Sequence, residues 1–135
     1  MIYLIRHGKS EDLITSDYDR KLTLEGRKEL EDNFKEFKEK FKSDNFKVYC
    51  SPYTRARQTA EIFSSIFDCD YEILDQLSFG NSGYDKIINM LDDDCDYILI
   101  GHQPYISDAI YKMTGRDVPV KRGSIHRVKW CINQI

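Results

Sequence analysis

The spacing of apolar positions changes several times along the chain, and each change predicts an element. Met1–Ile5 is an unbroken apolar run rich in β-formers that stops at Arg6-His7-Gly8, the pattern of a buried strand. Residues 9–22 are polar and mixed and read as a loop. In LTLEGRKELEDNFKEFKEKF, Leu30, Phe34, Phe37 and Phe41 recur at steps of four, three and four, which makes one stripe of a helix. Thr23 is placed to cap its start, and the other face is a solvated run of Lys and Glu. FKVYCS predicts a second strand. PYTRARQTAEIFSSIF predicts a second helix, with Pro52 suited to its first turn and Ala56, Ala60, Phe63 and Phe67 on one face. YEIL predicts a third strand, YDKIINML a short helix, and DYILIGH a fourth strand that again ends on Gly and His. YISDAIYKMTG predicts a helix stopped near Gly115, and SIHRVKWCI alternates as a last strand at a sheet edge.

Strands alternating with helices predict an α/β fold: a three-layer sandwich with a mostly parallel central sheet and helices on both faces. With 135 residues the chain is expected to form one domain spanning 1–135, large enough to need no disulfide or metal staple. Apolar content of 41% and aromatic content of 13% argue against disorder, and a formal net charge of -3 argues against a nucleic-acid binder. Cys50, Cys69, Cys95 and Cys131 have neither zinc-site spacing nor a histidine to complete one, so free thiols and no metal are expected. No basic segment precedes a long apolar one and no stretch approaches membrane-spanning length. A cytoplasmic protein without a membrane partner is therefore expected, and a monomer, since no long apolar stripe is left over.

In sheets of this kind, ligands bind beyond the carboxyl ends of the strands. Arg6-His7 follows the first predicted strand, Ser51-Pro52 and Arg55 follow the second, and Gly101-His102 follow the fourth. Two of the chain's three histidines thus fall at one edge. A zinc site would need three or four ligands, and guanidinium groups would repel the ion. A serine-type triad lacks a well-placed serine and a buried carboxylate. Two arginines beside two imidazoles instead describe an anion pocket, because guanidinium forks match phosphate oxygens, and Arg55 falls in the first turn of its helix where free N–H groups also favour an anion. There a neutral imidazole can attack phosphorus, while the arginines and a protonated second histidine stabilise the charge that spreads over the equatorial oxygens. No cofactor is implied.

LIRHGKS, SPYTRARQTAEIF and IGHQP resemble the motifs of the histidine phosphatase superfamily, which includes the phosphoglycerate mutases. The short chain, the R-K-L-T-x-x-G stretch at Arg20–Gly26 and the His-x-Pro after the fourth strand resemble the small bacterial SixA-like phosphohistidine phosphatases, and the similarity runs from Met1 to about Ile132. The resemblance implies a phosphoglycerate mutase-like fold and a set of roles. His7 would be the nucleophile, Arg6 and Arg55 would clamp the phosphoryl group, His102 would bind it and stabilise the transition state, and Gly8 would let backbone approach it. Ser10 and Arg20 are further candidates for phosphate contact. One stretch departs from the pattern. Many small-molecule members carry a carboxylate after strand three as general acid, whereas ILDQLSFGNSG offers only Asp75, with Gln76 where the acid is expected. An alkoxide leaving group needs a strong proton donor and an imidazole needs less help, so a weak acid fits a phosphoramidate.

The implied activity is therefore a protein phosphohistidine phosphatase acting through a phosphoenzyme, with a phosphorylated protein as partner. A small-molecule phosphomonoesterase of the same superfamily is the alternative; a non-catalytic phospho-ligand module would have no need of the histidine nucleophile. Lys9, Arg20, Lys21, Arg57, Lys121 and Arg122 could steer the partner as a group. Tyr53, Phe79 and Tyr105 could line a rim, and His126 reads as structural.

Overall fold

The structure, a computed structural model, describes residues 1–13 and 16–129. Along the chain run β1 (Ile2–Arg6), α1 (Leu24–Lys40), β2 (Phe46–Cys50), α2 (Thr54–Phe67), β3 (Glu72–Ile73), α3 (Tyr84–Asn89), β4 (Asp96–Gly101), α4 (Tyr105–Thr114) and β5 (Ile125–Val128), with a 3-10 turn at Asp75–Leu77. The sheet order is β3-β2-β4-β1-β5. β3, β2, β4 and β1 are mutually parallel and β5 runs antiparallel to β1 at the edge. In register, Ile100 of β4 faces Ile5 on one side and Cys50 on the other. The next residues, Arg6, Ser51 and Gly101, therefore leave the three central strands at one level.

Strand alternation divides the core into two layers. Ile2, Leu4, Tyr97 and Leu99 pack with Ile88 of α3 and Ile106, Ala109 and Ile110 of α4. Ile5, Val48, Cys50, Ile98 and Ile100 pack with Leu30 and Phe34 of α1 and Ala56, Ala60 and Phe63 of α2. Helices cover both faces, as expected of a mostly parallel sheet. Across the α1–α2 seam, Phe34 and Phe63 meet edge to face at 5.2 Å, and both are fully buried. Each such side chain contributes about 1.5–3 kcal/mol relative to an exposed one.

α1 begins where predicted: the Thr23 side chain accepts the Gly26 N–H at 2.9 Å, and Glu25 in the first turn with Lys38 and Lys40 in the last complements the helix dipole. α4 ends on Gly115 at φ 73°, a left-handed position suited to glycine. Three boundaries differ from expectation. Pro52 lies outside α2, because the Ser51 side chain accepts the Tyr53 N–H and closes a turn before the helix starts at Thr54. YEIL yields only the two exposed residues of β3, which pair with β2 alone before the chain enters the 3-10 turn. The last strand stops at Val128, and the expected continuation through residues 130–132 lies outside the described residues.

Cys50, Cys69 and Cys95 are free thiols, and burial pushes Cys50 up to about 12; Cys131 lies outside the described residues. Among the described residues, no helix is long and apolar enough to cross a membrane.

Candidate active site

The end of β1 delivers His7 beside the end of β4 and the start of α2. Its backbone N–H donates to the Gly101 carbonyl at 3.1 Å, which ties it to the end of β4. Its ring Nδ1 lies 2.8 Å from the Gly8 carbonyl. A carbonyl only accepts, so the proton sits on Nδ1 and the lone pair on Nε2. Arg55 donates from Nε to that lone pair at 3.2 Å. The rest of the Arg55 guanidinium is also engaged: Nη1 donates to the Asp17 carbonyl at 2.8 Å and Nη2 to its carboxylate at 3.4 Å. The carbon of that guanidinium lies 5.0 Å from the centre of the Tyr53 ring and 5.8 Å from that of Phe79.

His102 follows β4, with its ring centre 5.1 Å from that of His7. Its Nε2 lies 2.7 Å from Ser51 Oγ, and its backbone N–H donates to the Tyr84 hydroxyl at 3.3 Å. Tyr84 in turn donates to the Leu77 carbonyl. Gly101 makes room for that hydroxyl, since a Cβ there would lie 2.7 Å from it. Tyr53 and Phe79 lie edge-on against His102 at 5.1 and 5.7 Å, and Tyr105 packs against Phe79 at 5.7 Å. Thr59 joins two parts of the site: its hydroxyl donates to the Arg55 carbonyl at 2.8 Å and accepts the Gly8 N–H at 3.2 Å.

His7 and His102 are 8% and 1% exposed, and Arg55 is 2% exposed. Burial pushes the His7 imidazole down to about 4, and Arg55, Arg6 and Arg20 press in the same direction against the Gly8 hydrogen bond. Burial likewise pushes His102 down to about 2, reinforced by His7, Arg55, Arg6 and Arg20. Burial also lowers Arg6, whose neighbour Arg122 adds to the effect, and Arg55, where Asp17 opposes it. The free pocket therefore holds two neutral imidazoles in a field of guanidinium charge. The protonated second histidine expected from the sequence belongs to the transition state; in the ligand-free protein burial and the arginines favour the uncharged His102 ring.

His7, His102 and Arg55 come together as the sequence predicted. Arg6 acts on both imidazoles through its charge, with Nη1 held 2.9 Å from the Val120 carbonyl and Nε buried without a partner among the described residues. Arg20 contributes charge in the same way, while its side chain binds the Asp17 carboxylate at 2.7 Å and the Glu11 carbonyl at 3.1 Å. Three candidates stand differently. Gly8 has its N–H occupied by Thr59, and a Cβ there would lie 2.6 Å from Leu30 Cδ1, so glycine is needed for the close approach of α1. Ser10 forms an isolated bridge with Leu22, and no hydrogen bond among the described residues joins its side chain to the histidines. Asp75 is exposed in the 3-10 turn beside exposed Gln76, and among the described residues no hydrogen bond or ion pair joins its carboxylate to the pocket.

Sequence reasoning missed Asp17, Thr59 and Tyr84, and it placed Ser51 at the strand end without giving it a role. Ser51 carried a usable signal, since it follows β2 at the level of Arg6 and Gly101. The contacts of Asp17 depend on loop conformation and had none. His126 bonds Ser124 Oγ at 2.7 Å, in keeping with a structural role. Among the described residues, no three His, Cys, Asp or Glu side chains are grouped to hold a metal ion.

Comparison with known proteins bears on the fold and the family. The fold is similar to that of the protein histidine phosphatase SixA complexed with tungstate, with a TM-score of 0.87 at 21% identity over 98% of this chain and 90% of that one. It is similar to the Agrobacterium tumefaciens protein assigned as phosphohistidine phosphatase SixA, with a TM-score of 0.80 at 22% identity over 92% of this chain and 86% of that one. It is also similar to the Entamoeba histolytica phosphoserine phosphatase in complex with 3-phosphoglyceric acid, with a TM-score of 0.67 at 16% identity over 92% of this chain and 87% of that one. No curated protein matches the chain in sequence. The model of the histidine phosphatase superfamily (branch 1) matches residues 2–80, from β1 through the turn that carries Asp75, and the chain belongs to that superfamily.

Proposed function

We propose that the protein is a metal-independent phosphatase that removes the phosphoryl group from phosphohistidine on a partner protein, through a phosphoenzyme on His7. The observation that carries this reading is the His7 imidazole: Nδ1–H is bound by the Gly8 carbonyl, and Nε2 is an unprotonated lone pair beside a buried guanidinium. When a phosphoryl group enters, Arg55 turns its donors from Nε2 and Asp17 to the phosphoryl oxygens, and Arg6 adds charge. The Nε2–P bond forms as the bond from phosphorus to the leaving nitrogen breaks. A phosphorylated imidazole that has taken a proton from solvent on its other nitrogen leaves neutral and needs no acid from the enzyme. Water then attacks the phosphoryl group on His7, inorganic phosphate departs, and the imidazole is regenerated.

The surroundings support this substrate over a phosphate ester. The only carboxylate bonded to the pocket arginines among the described residues is that of Asp17, and the exposed Asp75 makes no such bond. An ester would have to expel a basic oxygen without a placed donor. The likeness to proteins named for phosphohistidine hydrolysis points the same way, and the likeness to a phosphoserine phosphatase makes an ester the competing reading.

The test is kinetics on a phosphohistidine protein beside phosphoserine, phosphotyrosine and sugar phosphates, with and without a chelator. Phosphohistidine should have the highest kcat/KM, chelator should leave it unchanged, and rapidly quenched enzyme should carry acid-labile phosphate on His7. A His7→Ala variant with near-normal turnover would overturn the mechanism. A sugar phosphate as best substrate, with that activity lost in Asp75→Asn, would replace the substrate assignment.

A further inference from the structure

Ser51 is fully buried one residue beyond β2, and its backbone N–H donates to the Ile100 carbonyl at 3.0 Å. Its hydroxyl oxygen accepts the Tyr53 N–H at 3.2 Å and lies 2.7 Å from His102 Nε2. A hydroxyl has one proton and two lone pairs. Tyr53 takes one lone pair. If His102 carried its proton on Nε2, that proton would take the second, and the hydroxyl proton would have no acceptor among the described residues. Leaving a buried donor unsatisfied is costly. If the hydroxyl instead donates to Nε2, the hydroxyl and Nε2 are both satisfied and only the Nδ1–H lacks a partner, whereas the first arrangement leaves both the hydroxyl proton and the Nδ1 lone pair without one.

The second arrangement puts the single proton of the neutral imidazole on Nδ1. That atom is buried and has no partner among the described residues. The pocket thus contains one N–H donor awaiting an acceptor, on a ring whose other edge is fixed. Such a donor is what a phosphoryl oxygen would satisfy.

We infer that Ser51 is a positioning residue that holds His102 as the Nδ1–H tautomer, so that an uncharged imidazole presents a donor to the phosphoryl group. The consequence for turnover rests on the phosphatase reading above; the tautomer does not. The surroundings explain why a tautomer is needed. His102 is faced by His7 and Arg6 at the end of β1, by Arg20 from the loop before α1, by Tyr53 just before α2 and Arg55 within it, and by Tyr84 from α3. Burial and this cationic field keep the ring neutral, so it has one proton, and the position of that proton decides whether the ring donates or accepts at the phosphoryl side.

Ring-nitrogen NMR of the ligand-free protein reads the tautomer directly, and with three histidines in the chain each signal is assignable by substitution. The wild-type spectrum at neutral pH should show His102 protonated on Nδ1 and unprotonated on Nε2. Ser51→Ala should move the proton to Nε2 and lower kcat by about tenfold or more at pH 7.5, a typical cost of removing an orienting partner. Ser51→Thr, which keeps the hydroxyl, should keep the tautomer and most of kcat. A wild-type His102 protonated on Nε2, or an unchanged tautomer in Ser51→Ala, would overturn the inference. A wild-type enzyme inactive on every phosphorylated substrate would sink the phosphatase reading and leave the tautomer result standing.

Discussion

Arg55 and Arg57 lie two apart on α2, and the structure gives them separate tasks. Arg55 reaches His7 and Asp17 with all three of its nitrogens, whereas Arg57 turns back to the Thr54 hydroxyl at 3.2 Å. Arg55→Ala should lower kcat/KM roughly a hundredfold more than Arg57→Ala, since one lost transition-state donor is worth about 3 kcal/mol. Steady-state kinetics on the two variants checks this, and equal losses would show that Arg55 has no special part. The same scale sets an acid limit on stability. His7 and His102 are held neutral by the fold at about 4 and about 2, below the ordinary histidine value of 6.5. Below that ordinary value the unfolded chain binds protons that the folded chain refuses, so stability is highest above it and falls as pH drops towards the folded values. Each of the two groups contributes a slope of up to about 1.4 kcal/mol per pH unit. Denaturant titrations between about pH 6.5 and 5, a range where most carboxylates stay ionised, should show this loss, and His102→Gln should reduce the slope by close to one proton.

At the scale of elements, the contact between β1 and α1 is set by the absence of one side chain. A Cβ at Gly8 would press 2.6 Å from Leu30 Cδ1 and 3.4 Å from the Gly26 carbonyl. Gly8→Ala should destabilise the protein by about 1–3 kcal/mol, the usual cost of overpacking. Combined with Leu30→Ala it should cost less than the sum of the two, a coupling that thermal or denaturant melts of the four proteins would detect. The elements legible in the sequence were those whose pattern reports burial directly. Met1–Ile5 and DYILIGH stood out because β1 and β4 are buried on both faces, and the α1 stripe stood out because it packs on one. Pro52 misled because a serine side chain closed the turn that proline was expected to occupy as a helix start. YEIL misled because its alternation has little to pack against at an edge. The site divided the same way. His7, Arg55 and His102 were legible because strand ends and a helix start place them. The partners of Asp17 and Tyr84 were not, because side chains reaching across loops and between layers leave no periodic trace.

For the whole molecule, the sheet order matters more than any single contact. β1 lies between β4 and β5, and β2 lies between β4 and β3. The two histidines and Arg55 therefore meet only when strands from both ends of the chain are paired. Activity and global unfolding should follow the same denaturant curve, a coincidence measurable by assaying turnover and circular dichroism on one sample series. A chain cut after residue 90 should lack cooperative structure, since it removes both partners of β1 and leaves β2 with the two residues of β3. The same order has a consequence during synthesis. The ribosome makes Ile2–Ile5 well before β4 and β5, the strands that cover its two edges. At about 5–20 residues per second, that apolar segment waits several seconds with both edges open. An open apolar strand is a template for pairing with another chain. The nascent protein thus has an early need for a shielding chaperone, and its yield on expression should fall as translation slows.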